Sequence, residues 1–244
     1  MKISDNGIIL FCKKIQESLM LVKIFSESNG LCLGFAKNIP QKKLHNYQVG
    51  NLVKFQKFAR TTDQLGIISC ESIKSYQWHI MSSKLNLYGF SGISNIVLGC
   101  FEEYEPHNNS YKIIVAFLEE LTNSDFSWLR YFQTEINLLK DAGYGLELDK
   151  CAVTHETENL LYVSPKSGRA VSKEAAKGYE HLLLKLPEFL VYQTEPENFE
   201  EIENAFKLSE YFFERYIWKE KGNPELIKFR DLLKSSYVRA LDED

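Results

Sequence analysis

The 244-residue chain contains no CxxC pair, although it has five cysteines: Cys12, Cys32, Cys70, Cys100 and Cys151. An odd, widely scattered set of this kind shows neither a zinc site nor a redox motif. The expectation is five reduced, mostly buried thiols acting as small apolar side chains. A GxxxxGK[ST] phosphate loop, GxGxxG, GxSxG and HExxH are all missing. No apolar run approaches the roughly 18 residues that would span a bilayer. The start, MKISDNGIILFCKK, is too poor in apolar residues for a signal peptide and places lysines after them. No membrane association and a cytoplasmic location are therefore expected. The five histidines, His45, His79, His107, His155 and His181, have no metal-like pairing. Carboxylates are scarce at the amino end: residues 1–80 hold only Asp5, Glu17, Glu27, Asp63 and Glu71.

What is present is a strong charge asymmetry. Residues 1–80 carry 11 Lys and Arg against 5 Asp and Glu, whereas residues 81–244 carry 18 against 28. The net charge of −4 thus joins a basic third at +6 to an acidic remainder at −10. A polyanion-binding module on a carrier has this form.

Texture changes with charge. GIILFCKKI, SLMLVKIFS, GLCLGFAKNI, NLVKFQKFAR and GIISCESIKSY are five short runs rich in β-branched and aromatic residues, broken by ESNG and VGN. Five strands in about 75 residues fit a small closed barrel of the OB type. In NLVKFQKFAR, alternation sets Leu52, Lys54, Gln56 and Phe58 on one side, and Val53, Phe55, Lys57 and Ala59 on the other. From about His79 the spacing becomes helical. Helices are predicted over 111–122, over 124–143 with Ser124 or Asp125 as N-cap and Gly143 as stop, and over 197–222. A last helix is predicted over 223–241, capped by Asn223 with Pro224 at its first position. The glutamates of 197–214 match a helix start, so no carboxylate pair stands out as general acid and base. The fold class is α+β multidomain: a five-stranded OB barrel over 1–80 and a helical domain over 81–244.

The cations of the first domain are the informative set. Lys13 and Lys14 follow the first strand, Lys37, Lys42 and Lys43 fall in GFAKNIPQKKLHNY with tyrosine and histidine nearby, and Lys54, Lys57 and Arg60 lie among Phe55 and Phe58. Cations that neutralise phosphates, with rings on which bases stack, suit single-stranded nucleic acid. For the two phenylalanines a core role is the competing reading. For the lysines it is simple solubility.

Three stretches carry a resemblance: ESLMLVKIFSESNG with GFAK near the start, LRYFQTEINLLKDAGYGLELDKCA at 129–152, and YVSPKSGRAVS at 162–172. With these the chain resembles the bacterial RecO family of recombination mediators. The resemblance implies a non-enzymatic DNA repair protein, nucleoid-associated in a bacterium. Such a protein binds single- and double-stranded DNA and anneals complementary strands. It also implies partnership with RecR, in some systems RecF, and with the acidic C-terminal tail of single-strand binding protein, in loading RecA. Arg130 is the candidate partner-binding residue for that tail. Many family members hold zinc with CxxC…CxxC. Here only Cys151 remains, the other positions falling on Thr154, Ser172 and Ala175. A metal-free, degenerate zinc-knuckle-like hairpin over 151–176, with no metal site and no cofactor, is expected, its turn made by Gly168. The alternatives are a metal-dependent DNA-processing enzyme and a protein scaffold without DNA binding.

Overall fold

A computed structural model describes residues 1–61, 64–218 and 224–241, excepting the side chains of Trp218, 224–227 and 238–241. It divides into two compact units, Met1–Ser124 and Asp125–Asp244.

The first unit opens with five strands: β1 (Lys2–Gln16), β2 (Leu19–Ser26), β3 (Gly30–Lys37), β4 (Leu52–Phe58) and β5 (Ile67–Lys74). They close into a barrel in the order β1-β2-β3-β5-β4. All contacts are antiparallel except β3 with β5, which meet in parallel at Phe35 and Ile67. This is the predicted five-stranded barrel. Alternation drives it: Ile3, Ile9, Val22, Ile24, Cys32, Val53, Phe55, Ile68 and Cys70 point inward and form one core.

Two glycines permit the closure. Gly30, at φ +65°, ends the ESNG turn, and a Cβ there would sit 1.9 Å from the Glu105 carbonyl oxygen. At Gly34, where β3 meets β5, a Cβ would lie 2.7 Å from Ile68. Gly34→Val is expected to cost about 2 kcal/mol or more, because barrel closure leaves the added atoms no room. Urea denaturation measures this; an unchanged midpoint would refute the tight β3–β5 approach.

The same turn is tied by Asp5. Its carboxylate accepts from Ser26 Oγ (2.5 Å), Ser28 N (2.9 Å), Asn29 Nδ2 (2.9 Å) and Asn6 N (2.9 Å). Burial raises the Asp5 pKa, but these hydrogen bonds outweigh it and hold the carboxyl below its usual value. A depressed carboxylate stabilises above its unfolded pKa, and that stability is lost as pH falls through the folded one. Acid unfolding below about pH 4 should therefore be shallower in Asp5→Asn than in the parent protein. Identical pH profiles of the melting temperature would sink this assignment.

Three helices complete the unit: α1 (Gln77–Met81), α2 (Lys84–Cys100) and α3 (Asn108–Asn123). The composition change near residues 77–83 marks the end of the barrel, while these helices pack in the barrel's unit. The 101–107 connection explains why: Leu31 bridges Glu103 in parallel, and Phe101 stacks on Phe25 with centroids 5.7 Å apart.

The second unit contains α4 (Trp128–Asp141), α5 (Glu188–Tyr192), α6 (Phe199–Phe213), a π-turn (Glu214–Trp218) and α7 (Pro224–Leu241). A small sheet lies among them: β6 (Leu160–Val163), β7 (Ala170–Ser172) and β8 (Leu184–Lys185), in the order β7-β6-β8. The hairpin β6–β7 lies within the 151–176 segment expected to form one, and β8 pairs with β6 from outside it. Gly168 makes its turn at φ +69°. Gly143 ends α4 at φ +90° as expected. Neither Ser124 nor Asp125 caps α4. Ser127 Oγ accepts from Arg130 N at 3.0 Å, and Ser124 instead closes α3 through its N–H to Glu120 O. The predicted cap Asn223 lies outside the described residues, as does the end of the predicted helix 197–222.

Candidate nucleic-acid interface

Register determines which cations meet. Lys13 on β1 stands opposite Leu21 on β2, Leu21 opposite Phe35 on β3, and Phe35 opposite Ile67 on β5. Ile67 then stands opposite Phe58 on β4, and Phe58 opposite Lys2 on β1. One circuit of the barrel thus returns to β1 at Lys2 rather than at Lys13. That stagger is the shear that closes the sheet. Residues opposite one another share a face, so this band lies on the outer surface, with Lys2, Lys13, Phe58 and Ile67 all exposed. Lys37 follows Phe35 by two residues, and Lys54 precedes Phe58 by four, so both are on the same outer face and exposed. Arg60 is exposed just beyond Phe58.

The barrel therefore surrounds an apolar row, Phe35–Ile67–Phe58, with cations from β1, β3 and β4. Glu71, opposite Lys54, is the acidic residue in this part of the register. Phe58 is 63% exposed, enough for its ring to receive a base. Phe55 is fully buried core, as the competing reading held. Lys2, Phe35 and Ile67 were not singled out from the sequence, because only register brings them to this face.

Lys42 and Lys43 are exposed on a 3-10 turn, Gln41–Tyr47. The turn is pinned to the barrel: Asn46 Nδ2 donates to Cys70 O at 3.2 Å, and Asn51 Nδ2 to His45 O at 2.7 Å. Lys14 is exposed beside Lys13 near the end of β1.

Lys57 is a correction. It is fully buried and cannot reach a phosphate. Its ammonium donates to Leu33 O at 2.5 Å and to the Tyr104 hydroxyl, and lies 4.7 Å from the Tyr104 ring centroid. Burial lowers its pKa. The charge is compensated inside the barrel and ties the 101–107 connection to β3 and β4.

In the second unit, Cys151 is buried at the base of the hairpin. Its sulfur accepts from Ser172 N at 3.3 Å and Thr154 N at 3.5 Å. Burial raises the thiol pKa, yet hydrogen bonding from Ser172 and Thr154, side chain and backbone, outweighs it and brings the value down to about 6. Elsewhere in this unit, α4 walls an 810 Å³ cleft through Gln133, Ile136, Asn137 and Lys140, closed opposite by Leu148, Lys150 and Val191.

A family model described as Recombination protein O N terminal matches residues 1–76, and one described as Recombination protein O C terminal matches residues 82–223. The chain belongs to the RecO family. Proteins named DNA repair protein RecO are similar over nearly its whole length. That of Orientia tsutsugamushi strain Ikeda is 42% identical over 226 residues, 92% of this chain and 94% of the relative. That of Rickettsia bellii strain OSU 85-389 is 37% identical over 93% of each. That of Rickettsia conorii is 36% identical over 89% of this chain and 92% of the relative. It is thus a member of a DNA repair family, and no helix among the described residues is long and apolar enough to cross a membrane.

The zinc that many RecO proteins hold does not fit the residues here. The four positions are Cys151, Thr154, Ser172 and Ala175. One thiolate, two hydroxyls and a methyl do not make a tetrahedral zinc site. The backbone N–H groups of Thr154 and Ser172 instead donate to the Cys151 sulfur, Thr154 Oγ1 donates to Glu156 Oε2 at 2.9 Å, and Ala175 N donates to Ser172 Oγ at 3.4 Å. Arg130, the candidate for the RecO partner tail, is exposed on the first turn of α4. It is outside the lining of the 810 Å³ cleft, one turn before the row Gln133, Asn137 and Lys140.

Proposed function

We propose that this RecO-family chain is a recombination mediator whose barrel binds single- and double-stranded DNA without sequence preference and anneals complementary strands. The observation that carries this is the outer band, where Lys2 stands opposite the exposed Phe58, Arg60 lies just beyond it, and Lys13, Lys37 and Lys54 are exposed on the same outer face of the barrel. Lys14, Lys42 and Lys43 extend the cationic surface. Neutralising the phosphates of two strands lowers their repulsion, and base pairing supplies the driving force, so no covalent step is required. Annealing of labelled complementary oligonucleotides across a salt series tests it. Rates indifferent to the barrel cations would overturn it.

The partner proposal is the acidic tail of single-strand binding protein in the α4 cleft. Ile136 and Val191 supply apolar contact, Lys140 and Lys150 the cations, and Arg130 stands one turn away on the same face. Glu147 is occupied by Arg169 at 3.0 Å. RecR, and in some systems RecF, complete the assembly that loads RecA. A tail peptide should bind Lys140→Glu/Lys150→Glu at least about tenfold more weakly than the parent; equal binding in fluorescence anisotropy removes the assignment.

The hairpin 151–176 is proposed to fold without metal or other cofactor, held by the hydrogen bonds to Cys151 and the packing of Leu160, Val163 and Val171. Chelator should leave the melting temperature unchanged. A fall of several degrees in EDTA would show that a metal is present after all. The rival reading, a metal-dependent DNA-processing enzyme, would need a carboxylate cluster drawn from Asp5, Glu17, Glu27, Asp63 and Glu71, and of these Asp5 is committed to the ESNG turn.

A further inference from the structure

Among the described residues of the second unit, two clefts carry no Asp or Glu in their linings. One, of 440 Å³, is lined by Lys166, Tyr179, Leu182, Tyr211 and Arg215 among others. The other, of 210 Å³, is lined by Tyr144, Ser167, Gly168, Phe212 and Tyr216 among others. The larger clefts of the same unit include Glu188, Glu197, Glu200 and Glu201 in one, and Glu147 and Asp149 in the other. Against a unit with an excess of seven negative charges, two adjoining clefts without acidic lining residues are a departure that composition does not predict.

The two clefts flank one turn, Pro165–Gly168 of the β6–β7 hairpin, which carries Lys166. The turn is held at both ends: Gly168 N donates to Ser164 O at 2.8 Å, and Ser164 N donates to Arg169 O at 2.9 Å. Arg215 Nη1 donates to Pro165 O at 2.5 Å and to the Tyr211 hydroxyl at 3.4 Å, locking the guanidinium between the clefts. Aromatic rings continue on both sides. Tyr144 and Tyr216 stack at 4.4 Å with planes 8° apart, and Arg215 lies 5.3 Å from the Tyr216 ring. Tyr179 is 63% exposed and Tyr144 38% exposed. Lys166 is exposed and makes no ion pair among the described residues.

Cations interleaved with accessible rings on a hydrogen-bonded support are what an unpaired nucleic-acid strand requires: phosphates meet Lys166 and Arg215, and bases stack on Tyr179 and Tyr144. A duplex has no free base faces to offer these rings. From this geometry we infer that the hairpin turn and the π-turn form a second single-strand-binding face on the helical unit. The inference rests on the reading of the barrel as the first DNA-binding face. Annealing needs two strands on one protein, and this face supplies the place for the second. It also gives the hairpin a task that needs no metal, because its tip presents Lys166.

The test uses the full chain, two non-complementary oligonucleotides labelled as a fluorescence energy-transfer pair, and a complementary pair for annealing. Lys166→Glu/Tyr179→Ala changes two exposed side chains and should fold normally by circular dichroism. It is expected to retain strand binding within about threefold, lose energy transfer between the two oligonucleotides, and anneal at least tenfold more slowly. Unchanged energy transfer and annealing would overturn the inference. A 5-iododeoxyuridine oligonucleotide, irradiated at protein excess, should crosslink peptides containing Tyr144 or Tyr179; crosslinks confined to barrel peptides would also overturn it. Failure of the barrel reading looks different: charge reversal at Lys13, Lys37 and Lys54 would then leave total binding intact.

Discussion

Charge reversal at Lys13, Lys37 and Lys54 is expected to weaken single-stranded DNA binding by at least about 100-fold at low salt, with annealing falling in parallel. Each phosphate contact to a single strand contributes about −0.7 to the slope of log affinity against log salt, so the triple variant should flatten that slope by about 2. Phe58→Ala should weaken binding by roughly tenfold with the slope unchanged, since stacking releases no counterion. Lys57→Met serves as the contrast. Its ammonium is buried against Leu33 O and Tyr104, so the change should reduce stability but leave the salt slope as it was. A salt slope that Lys57→Met lowers as much as Lys54→Glu would refute the geometry of the band.

The second large effect is expected inside the helical unit. Arg230 on α7 is buried and its Nη1 donates to Glu135 Oε1 of α4 at 3.0 Å. Its Nη2 donates to Phe206 O at 3.1 Å and Ser209 Oγ at 2.9 Å on α6, and the guanidinium lies 5.0 Å from the Phe206 ring. Tyr131 donates to the same Glu135 oxygen at 2.6 Å. Three helices are therefore held by one cation. Arg230→Met leaves a fully buried carboxylate without its counter-charge and should cost about 3–5 kcal/mol, a fall on the order of 10 °C in melting temperature. Arg230→Met combined with Glu135→Leu should recover much of the loss, because no buried charge then remains. Calorimetry on the two variants decides it: a single variant within a degree of the parent would mean that water already reaches the pair.

The barrel was legible because its strands repeat with period two and its turns carry ESNG and VGN. That pattern survives any tertiary context in which one face is buried. Even Lys57 had a signal: alternation groups it with Val53 and Phe55, the side that is now core. Cationic composition outweighed that signal in the sequence reading, and the structure reverses the priority. The α4 cap was missed for a different reason. Ser124, Asp125 and Ser127 are all chemically competent, and the choice fell to Ser127 because Glu195, 68 positions later, accepts from Trp128 N at 3.0 Å. No local rule contains that contact.

The sequence by itself determined a basic β-rich third ahead of an acidic helical remainder, the hairpin with its single retained cysteine, and the family. These are properties of composition, period and order along the chain, and they do not depend on which strand lies next to which. Only the tertiary structure decided that Lys2, Lys13 and Phe58 share a band, that Lys57 is interior, and that Tyr144, Lys166, Tyr179 and Arg215 meet around one turn. Register, shear and helix packing join residues tens of positions apart. A one-residue slip in any of them would put a different set of side chains together.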